Sequence, residues 1–470
     1  MVKTIIYLVI FLVQMLGFAQ DPVLELDLDT ALQIALENNL DVERSNLRAQ
    51  TSDIEFNQSR NSRLPNLNGN YNFGLNNGRS IDPFTNTFIE EQLTFSSAGL
   101  SLEATIFNGF QIKNRIQRDR FNLQAAKADV EQAKQEMVLN VTLAYFQILN
   151  NNDLLKLALS RKKSTLEQLE RLKNLNEEGE GNPANYTDIV GQLANDNSII
   201  ADAENSLEAS KLELIRLLNI DSEISISESQ LIDEPVMYAY SVTEVFEESL
   251  ENLAAFRSVE LKIKAAEEDI QASQSLYAPE VTLFAQLNTN FSSLATLFNE
   301  SGIQIVETDQ FVSIGGDDFS VFSPETNFSA ESIAYQDQLI NNLNSNIGVA
   351  LRVPIFNGFR AKNNVALQKI ILEEQKVEYQ STFNEFRQAI QVAHNDMQTA
   401  HAKYLIFEDQ VQAYTESFRV NEIRFNSGVS NIVEYIISKN NLDNAKINLA
   451  NARFEYIFRT KILDYYRGIS

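Results

Sequence analysis

The chain has 470 residues and a formal net charge of −26, with no Cys, no Trp and only two His. Without Cys there is no disulfide framework, thiolate metal site, cysteine nucleophile or lipid-bearing N-terminal cysteine, and so acidic a chain is a poor partner for nucleic acid. The 16 Gly and 8 Pro make up about 5% of the chain, against roughly 12% in an average protein, which favours long uninterrupted elements.

Residues 1–19 predict a secretory signal peptide. Lys3 supplies the positive start, residues 5–16 are almost entirely apolar, and residues 17–19 (GFA) offer a small-residue cleavage site. The alternative is a membrane anchor, but the apolar run is shorter than the ~20 residues that a spanning helix needs. We therefore expect an exported chain, and the loss of Lys3 with the signal makes it one charge more acidic.

The mature chain contains an internal duplication. The segment IFNGF at residues 106–110 recurs at residues 355–359, and the same offset of 249 residues relates Gly179 to Gly428. Upstream the offset is only 214, so an insertion of 35 residues falls within the second copy. Duplication of this kind usually means one structural unit used twice. The expected organisation is repeat 1 (20–220), a linker or equatorial segment (221–253) and repeat 2 (254–470).

Each copy predicts a pair of long antiparallel helices. Two stretches of 69 residues, 110–178 and 359–427, contain neither Gly nor Pro. Apolar residues recur every three or four positions in the first of them, as in a packed helix: Leu123, Ala126, Val130, Ala133, Met137, Val141, Ala144 and Ile148. The predicted elements are long helices at 110–177 and 359–426, a tip turn at 178–183, and return helices at 184–218 and 431–466.

Four segments alternate between apolar and polar residues, which is the period of a strand. They are 66–76, 97–107, 280–290 and 345–355, and each has about the length that a tilted strand needs to cross a bilayer. The alternative is a soluble sheet with one buried face. Isolated hairpins are unstable and leave open edges that lipid does not tolerate, so inserted strands would have to close with copies of themselves. The pattern leaves the fold of the long acidic loop, 291–345, undetermined.

Candidate catalytic and metal-binding residues are few. His394 and His401 share a helix face, but two ligands make an incomplete site and ordinary solvated histidines explain them. Asp317 and Asp318 lack the ordered ligand spacing of a calcium loop. Because no nucleophile stands beside a base and no Gly-rich loop could hold a phosphate, we expect no enzyme activity, no cofactor and no metal.

Taken in order, these segments resemble the TolC family of outer-membrane efflux proteins over nearly all of the mature chain. The resemblance depends on a proline before a strand in both copies (Leu64-Pro65-Asn66-Leu67 and Ala278-Pro279-Glu280-Val281), on a strand leading through Phe-Asn-Gly into a long helix (residues 353–360), and on Arg424-Phe425-x-x-Gly428 before a helix rich in Asn, Ala and Leu. No single motif is specific; their order and duplication are.

The resemblance implies a fold, a location and partners. The fold is mainly α, a long antiparallel α-helical barrel continued by a β-barrel of 12 strands that a homotrimer closes with four strands per chain. The protein would be a channel in the outer-membrane lipid that extends into the periplasm. It would be the passive exit duct of a tripartite efflux or type I secretion system, docked by a periplasmic adaptor (membrane fusion) protein and an inner-membrane pump of the RND, ABC or MFS type.

The resemblance also suggests residues at the periplasmic entrance, beside the tip turns at Gly179 and Gly428. Glu434 falls where the family commonly has an acidic residue, and three copies would form a carboxylate ring favouring cations. The alternative is that Glu434 only completes a helix cap after Asn431. Arg424 could hold the entrance closed through a salt bridge, or be an ordinary exposed helical Arg, and Asp188 is the nearby acid in the first copy.

Two other classes of function stay open on sequence grounds. A secreted coiled-coil structural or adhesive protein would explain export and helices, but not the paired alternating segments in both copies. A periplasmic enzyme has no catalytic constellation to support it. For the duct, the excess of acidic residues predicts a lumen that prefers cations.

Overall fold

The computed structural model describes residues 24–83, 85–227 and 236–469, so the predicted signal peptide lies outside the described residues. The described chain forms two compact units. The helical unit contains the residues up to Glu55 together with Asp119–Ala266 and Ile370–Ser470, and the sheet unit contains Phe56–Arg118 and Glu267–Lys369. Each unit takes segments from both copies of the duplication, so the sequence repeats and the compact units divide the chain differently.

Helices account for most of the described residues. In chain order they are α1 (Leu28–Asn38), α2 (Leu40–Asn61), α3 (Gln111–Glu177), α4 (Pro183–Leu218), α5 (Val242–Asn252), α6 (Ala254–Gln274), α7 (Tyr335–Asn341), α8 (Arg360–Asn426) and α9 (Ile432–Tyr466). None of the helices within the described residues is long and apolar enough to cross a membrane.

Ten strands are described, most of them short or paired in hairpins. They are β1 (Leu24–Leu26), β2 (Asn66–Asn76), β3 (Ser80–Ile81), β4 (Phe88–Ile89), β5 (Leu93–Asn108), β6 (Ile224–Ile226), β7 (Glu280–Ser292), β8 (Thr296–Ile314), β9 (Asp317–Ser332) and β10 (Asn344–Arg352). The expected linker at 221–253 therefore contains both a strand and a helix.

The two longest helices, α3 and α8, each contain 67 residues and begin with the same turn. Phe110 and Phe359, one residue before each helix, both have positive φ, as does the glycine before each of them. Each phenylalanine packs edge-on against the one three residues earlier, with ring centroids 5.4 and 5.5 Å apart. The duplication thus extends to the backbone conformation that joins strand to helix.

The sheet unit contains a four-stranded antiparallel sheet in the order β10-β7-β5-β2. Three strands differ from the expected bounds, and β7 is the closest of them, since it ends at Ser292, two residues after the predicted end. β5 begins at Leu93, four residues earlier than predicted, and β10 ends at Arg352, three residues before the predicted end. Pro354 explains the early end of β10, because proline has no N–H to donate to a strand ladder. The strands β2 and β10 form the two edges, and neither pairs with another described strand on its outer side.

The long connection between β7 and β10 is itself folded. β8 and β9 form a second, separate antiparallel pair, joined by a tight turn at Gly315 and Gly316, both with positive φ. The short helix α7 follows, and the Gln338 side chain both accepts from and donates to the backbone of Ser292 at the end of β7. The 35-residue insertion is thereby accommodated as a hairpin anchored to the sheet.

The helical unit has its largest apolar core around the middle of α3. Tyr145 and Ile148 are buried there against α4, α1 and α9. Of the predicted apolar positions, Met137, Val141, Ala144 and Ile148 belong to this core and Ala133 packs against it. Nearer the start of α3, Leu123 and Val130 are buried and Ala126 is partly buried. The parallel pair of β1 and β6 packs on the same core through Leu26 and Ile224.

Candidate functional site

The turns that join the paired long helices have the same geometry in both copies. After α3, Glu180 N–H donates to Leu175 C=O and Gly179 N–H to Asn176 C=O. After α8, Val429 N–H donates to Arg424 C=O and Gly428 N–H to Phe425 C=O, each residue 249 positions after its counterpart. Gly179 and Gly428 both have positive φ, the conformation that ends a helix in this hydrogen-bonded motif and that glycine adopts without strain.

Asparagine starts the return helix in both copies. The Asn182 side chain accepts a hydrogen bond from Ala184 N–H at 3.0 Å, and the Asn431 side chain accepts one from Glu434 N–H at 2.9 Å. Each satisfies one of the backbone donors that a helix start leaves free. Pro183 at the first position of α4 explains why that helix starts one residue before the predicted bound.

Glu434 and Arg424 face each other across the second tip turn. Arg424 Nη2 lies 3.8 Å from Glu434 Oε2, and Asn431 Nδ2 donates to Glu434 Oε1 at 3.4 Å. Both charged side chains are about half exposed, so this long ion pair contributes little to stability. Asp188 lies elsewhere: it is exposed on α4 in the first hairpin, beside the buried Ile189. The carboxylate of Glu434 is thus near its own helix cap and also open to solvent.

An apolar cluster joins the two hairpins just above their tips. Its buried residues are Leu172 of α3, Ile189 of α4, and Ile432 and Tyr435 of α9. Phe418 and Phe425 of α8 are partly buried and pack against them. The ring of Tyr435 lies 5.6 Å from Phe418 and 5.1 Å from Phe425. Burial raises the pKa of the Tyr435 hydroxyl to about 12, and the carboxylate of Glu422 adds to the shift. Tyr435 lies 249 residues after Tyr186, the offset that relates the two copies, and this match is the signal in the sequence that points to the cluster.

Buried charges connect the first hairpin to α9 further from the tips. Arg161 of α3 donates through Nε to Asp196 of α4 at 2.7 Å and through Nη2 to Asn440 of α9 at 2.7 Å. Lys439 Nζ donates to Asp443 at 2.9 Å, and Asp443 lies 3.6 Å from Arg161. Arg161, Lys439 and Asp196 are almost completely buried. We refer to Arg161, Asp196, Lys439 and Asp443 as the buried ion network.

Asp196 is the fully buried member of this network, with an exposure of 0%. Burial alone would raise the pKa of its carboxyl, but hydrogen bonds from Thr165, Gln192 and Arg161 and the charge of Lys439 outweigh it, so the pKa is lowered. The sequence pattern did not predict this network. A usable signal was present, because Asp196 falls among the apolar positions of α4, between Leu193 and Ile200, where a charge requires a buried partner.

The sheet has one polar and one apolar face. On the polar face, Asn70, Gly99, Asn288 and Asn344 form one row across all four strands. A Cβ at Gly99 would lie 2.6 Å from Asn288 Oδ1 and 2.8 Å from Asn70 Oδ1, so both amide oxygens lie close over this glycine and a larger residue would displace them. The next row is Asn68, Ser101, Gln286 and Asn346.

The opposite face of the sheet is apolar and open to its surroundings. Its large exposed side chains come from β2, β5, β7 and β10: Leu67, Tyr71, Phe73, Leu75, Leu100, Leu287, Ile347, Val349 and Leu351. An exposed apolar surface of this extent is unusual in water and typical of a membrane or protein interface.

The histidines do not form a site together. His394 Nε2 lies 3.2 Å from the Tyr240 carbonyl oxygen, whereas the His401 ring packs against Tyr456. Across the described parts of the chain, no group of three or more His, Cys, Asp or Glu is placed to hold a metal ion. Asp317 and Asp318 begin β9 at the hairpin turn, where Asp318 accepts from the Ser313 hydroxyl.

Comparison with known proteins gives concordant results. The family model for outer membrane efflux proteins matches residues 31–219 and 322–457. Outer membrane protein TolC of Vibrio cholerae serotype O1 is 22% identical over 408 residues, which cover 85% of this chain and 81% of that protein. Among solved structures, CusC superposes with a TM-score of 0.75 at 15% identity, covering 94% of this chain and 92% of that one. The CmeC outer membrane channel of Campylobacter jejuni has a TM-score of 0.72 at 17% identity, covering 94% and 85%.

These matches confirm the predicted resemblance, the fold class and the location in the outer membrane with extension into the periplasm. The alternative of a secreted coiled-coil structural protein is thereby set aside, and the family consists of channels rather than enzymes. Since the family model covers well over half of the chain, this protein belongs to the outer membrane efflux protein family and is an outer-membrane exit duct of efflux systems.

Proposed function

We propose that three copies of this chain close one passive duct, through which a tripartite efflux or type I secretion system exports its substrates. The observation that carries the proposal is the four-stranded sheet with an exposed apolar face and open edges at β2 and β10. Open edges cannot face lipid, because unpaired N–H and C=O groups have no partner there. Pairing β2 of each copy with β10 of the next removes every edge, and the family resemblance supports three copies and 12 strands.

The two faces of the sheet suit the two sides of such a barrel. The apolar face, including Leu67 and Ile347, would contact lipid, and the Asn-rich rows at Asn68 and Asn70 would line the lumen. Membrane barrels alternate apolar and polar residues in this way. Amide side chains offer hydrogen bonds without charge, which suits a duct that passes varied substrates and binds none of them tightly.

Helix α8 supports the same assembly. Several of its large apolar side chains are exposed in the single chain: Leu367, Ile370, Val377, Val392, Leu405 and Ile406. Apolar residues along one long helix are normally covered by another helix. A neighbouring copy would supply that cover.

The tip turns are proposed as the periplasmic entrance. Three copies of Glu434 would form a carboxylate ring that favours cations, with Arg424 paired to each carboxylate in the closed entrance. Val429 and Val433, exposed beside the turn, offer an apolar surface for the periplasmic adaptor, which would in turn connect the duct to an inner-membrane pump of the RND, ABC or MFS type.

The test is assembly and conductance of the purified full-length chain. We expect detergent-solubilised protein to have the mass of three chains by light scattering and to form channels in a planar bilayer that prefer cations. A monomer without conductance would overturn the proposed assembly, and a measured preference for anions would reject the acidic lumen while leaving the trimer intact.

A further inference from the structure

The hairpin of β8 and β9 carries an apolar face that the described chain leaves open. Strand register places six large side chains on this face, each at least 58% exposed: Phe298, Ile303, Ile305, Phe311, Phe322 and Phe328. Two irregularities in the register, after Glu300 and after Glu307, keep these residues on one side along the whole hairpin. We call this surface the hairpin face.

The reverse side of the hairpin is different in character. It is mainly polar between its base and its turn, with Asn299, Gln304, Ser323, Glu325, Asn327 and Ser329. Its large exposed apolar residues lie at the two ends, Leu297 at the base and Val312, Ile314 and Phe319 beside the Gly315–Gly316 turn, while Val306 and Val321 are partly buried. An isolated two-stranded hairpin is marginally stable in water and needs a covered apolar face for stability. The one-sided distribution indicates that the hairpin face has a partner.

The position of the hairpin determines where this partner is found. The long helices α3 and α8 begin at the end of the sheet where β5 and β10 finish, while β8 begins four residues after β7 ends, at the opposite end. The protein lies in the outer membrane and extends into the periplasm, and the family resemblance implies that the long helices form the periplasmic part. With that orientation, the hairpin end of the sheet would face the outside of the cell.

Charge decides between the partners that this location allows. No Lys, Arg or His occurs between Lys264 and Arg352, whereas residues 296–332 contain seven Asp and Glu. Glu300 and Glu307 lie on the hairpin face itself, opposite Phe328 and Phe322. Hairpin faces of separate copies would bring like charges together, and anionic lipid headgroups would be repelled as well. A cationic partner is attracted.

We propose that the hairpin face is an extracellular docking surface for a polypeptide segment that presents apolar side chains flanked by Lys and Arg. Apolar burial provides the affinity, and the carboxylates provide the attraction over distance and the choice of partner. The inference depends on the outer-membrane location and not on the proposed trimer or its pump.

The test uses the full-length protein in nanodiscs of zwitterionic lipid. Three fluorescently labelled peptides of equal length are compared: one alternates Leu with Lys, the second alternates Leu with Glu, and the third alternates Ser with Lys. Fluorescence anisotropy should show the Leu-Lys peptide binding the wild type more tightly than the other two. The triple variant Ile303→Ser/Ile305→Ser/Phe322→Ser should weaken that binding at least about tenfold, the loss expected for truncated central anchors. Equal binding of wild type and triple variant would overturn the proposal.

Matched variants separate the contribution of apolar burial to binding from the contribution of the carboxylates. On the reverse side, Asn299→Ala/Gln304→Ala/Ser323→Ala should leave the affinity for the Leu-Lys peptide unchanged. Glu300→Gln/Glu307→Gln should weaken binding at low salt and match the wild type at high salt, because salt screens exposed charges. If the Leu-Glu peptide bound the wild type as tightly as the Leu-Lys peptide, a cationic partner would be ruled out.

A second copy of the chain and membrane lipid are the other two candidates for covering the hairpin face. Both are tested with the variant Ile305→Cys, whose cysteine is unique because the natural chain has none. A disulfide between subunits under mild oxidation would show that a second copy covers the face. Labelling by a water-soluble maleimide that proceeds in detergent but is blocked in nanodiscs would show that lipid covers it. Either result would overturn the proposal; free labelling in both settings, without subunit cross-links, is the expected outcome.

Discussion

The long helices α3 and α8 have the same length, the same starting turn and the same tip motif, but they differ in what covers them. α3 contributes many buried apolar residues to cores of its own chain, and its most exposed large apolar residue, Leu159, is 48% exposed. On α8 only Ala361, Ile390, Ala393, Met397 and Ala400 are buried among apolar residues, and Val377 is 68% exposed. The two copies of the unit have therefore diverged: α3 builds the core of the chain, and α8 has an exposed apolar surface that the proposed trimer would cover.

The residues of the buried ion network also differ between the two copies of the duplication. Arg161 and Asp196 lie in the first hairpin and have the uncharged counterparts Gln410 and Ala445 in the second, while Lys439 and Asp443 of α9 correspond to Val190 and Ala194. Each copy therefore contributes charged residues that the other copy lacks, and together these residues join α9 to the first hairpin. We expect these charges to fix the register of α9 against the first hairpin, because an apolar seam alone specifies that register less strictly.

The largest effect is expected from Asp196→Ala. The substitution leaves the buried Arg161 with only the more distant Asp443 as a charged partner, and removing one member of a buried ion pair costs about 3 kcal/mol or more. Denaturant titration followed by circular dichroism should show this loss in the free energy of unfolding. Asp202→Ala, at an exposed position of the same helix, is the control. If both variants unfold alike, the network does not hold the hairpins together.

Substitution of the α8 surface should weaken assembly and not the single chain. Ile406 is 62% exposed, and its burial against a neighbouring copy would contribute about 1.5–3 kcal/mol per subunit. Ile406→Asn should therefore shift the dissociation of the proposed trimer by about tenfold or more, as measured by light scattering over a dilution series. The counterpart on α3, Leu157→Asn, should affect assembly less. Equal effects on dissociation would contradict the difference between the two helices.

High pH should destabilise the tip cluster through Tyr435. Burial raises the pKa of its hydroxyl to about 12, above the value of about 10 for an unfolded tyrosine. The contribution of the protonated Tyr435 hydroxyl to the free energy of unfolding is therefore fully present below pH ~10. It is lost as the pH rises toward 12, which lowers the free energy of unfolding by up to about 2 kcal/mol. Tyr435→Phe should make the decrease in unfolding free energy over this range shallower. Tyr186→Phe, the half-buried counterpart in the first copy, is the control, and an identical pH profile for all three proteins would refute the prediction.

Removal of the Glu434 charge should weaken block of the channel by divalent cations. A ring of three carboxylates attracts such ions, so both Glu434→Gln and Glu434→Ala should reduce block of single-channel current several-fold, with Asp188→Ala as the first-copy control. The cap interpretation predicts another result: Glu434→Gln would keep wild-type block, and only helix stability would change. Current recordings at fixed voltage therefore separate the two roles.

The smallest effect is expected from Arg424→Ala. Its ion pair with Glu434 is long and half exposed, and such pairs contribute about 0.2–1 kcal/mol. The free energy of unfolding should change by no more than this amount. If Arg424 helps to close the entrance, single-channel recordings of the variant should show more frequent spontaneous opening. Unchanged opening would leave Arg424 as an ordinary surface residue.

Much of the fold could be predicted from the sequence because its elements have strong local signals. Helix ends were located within about two residues where Gly179, Asn182, Pro183, Gly428 and Asn431 act through their own backbone and side chains. Strand ends were less accurate, since a ladder continues as long as a partner strand is present: β5 gained four residues opposite β2 and β7. The fold of residues 291–345 is left undetermined by the sequence pattern, and the hairpin of β8 and β9 found there contains two irregularities of register.

The candidate site was predicted less completely than the fold. The proximity of Arg424 and Glu434 follows from a short turn, and it could be inferred from their separation along the chain. The apolar cluster around Tyr435 and the buried ion network each join residues of both hairpins, such as Leu172 with Tyr435 and Arg161 with Asn440, which lie far apart along the chain. A periodic pattern shows that a position is buried but not which residue lies opposite.

By itself, the sequence determined the duplication, the helix lengths and the tip turns, because spacing, glycine and asparagine act within a few residues of the chain. Only the tertiary structure decided which copy of the long helix is covered, that charges from different copies meet in one buried network, and that the insertion folds into a hairpin with one apolar face. These features depend on which surfaces meet, and that is set by packing and charge pairing between distant segments rather than by local propensity.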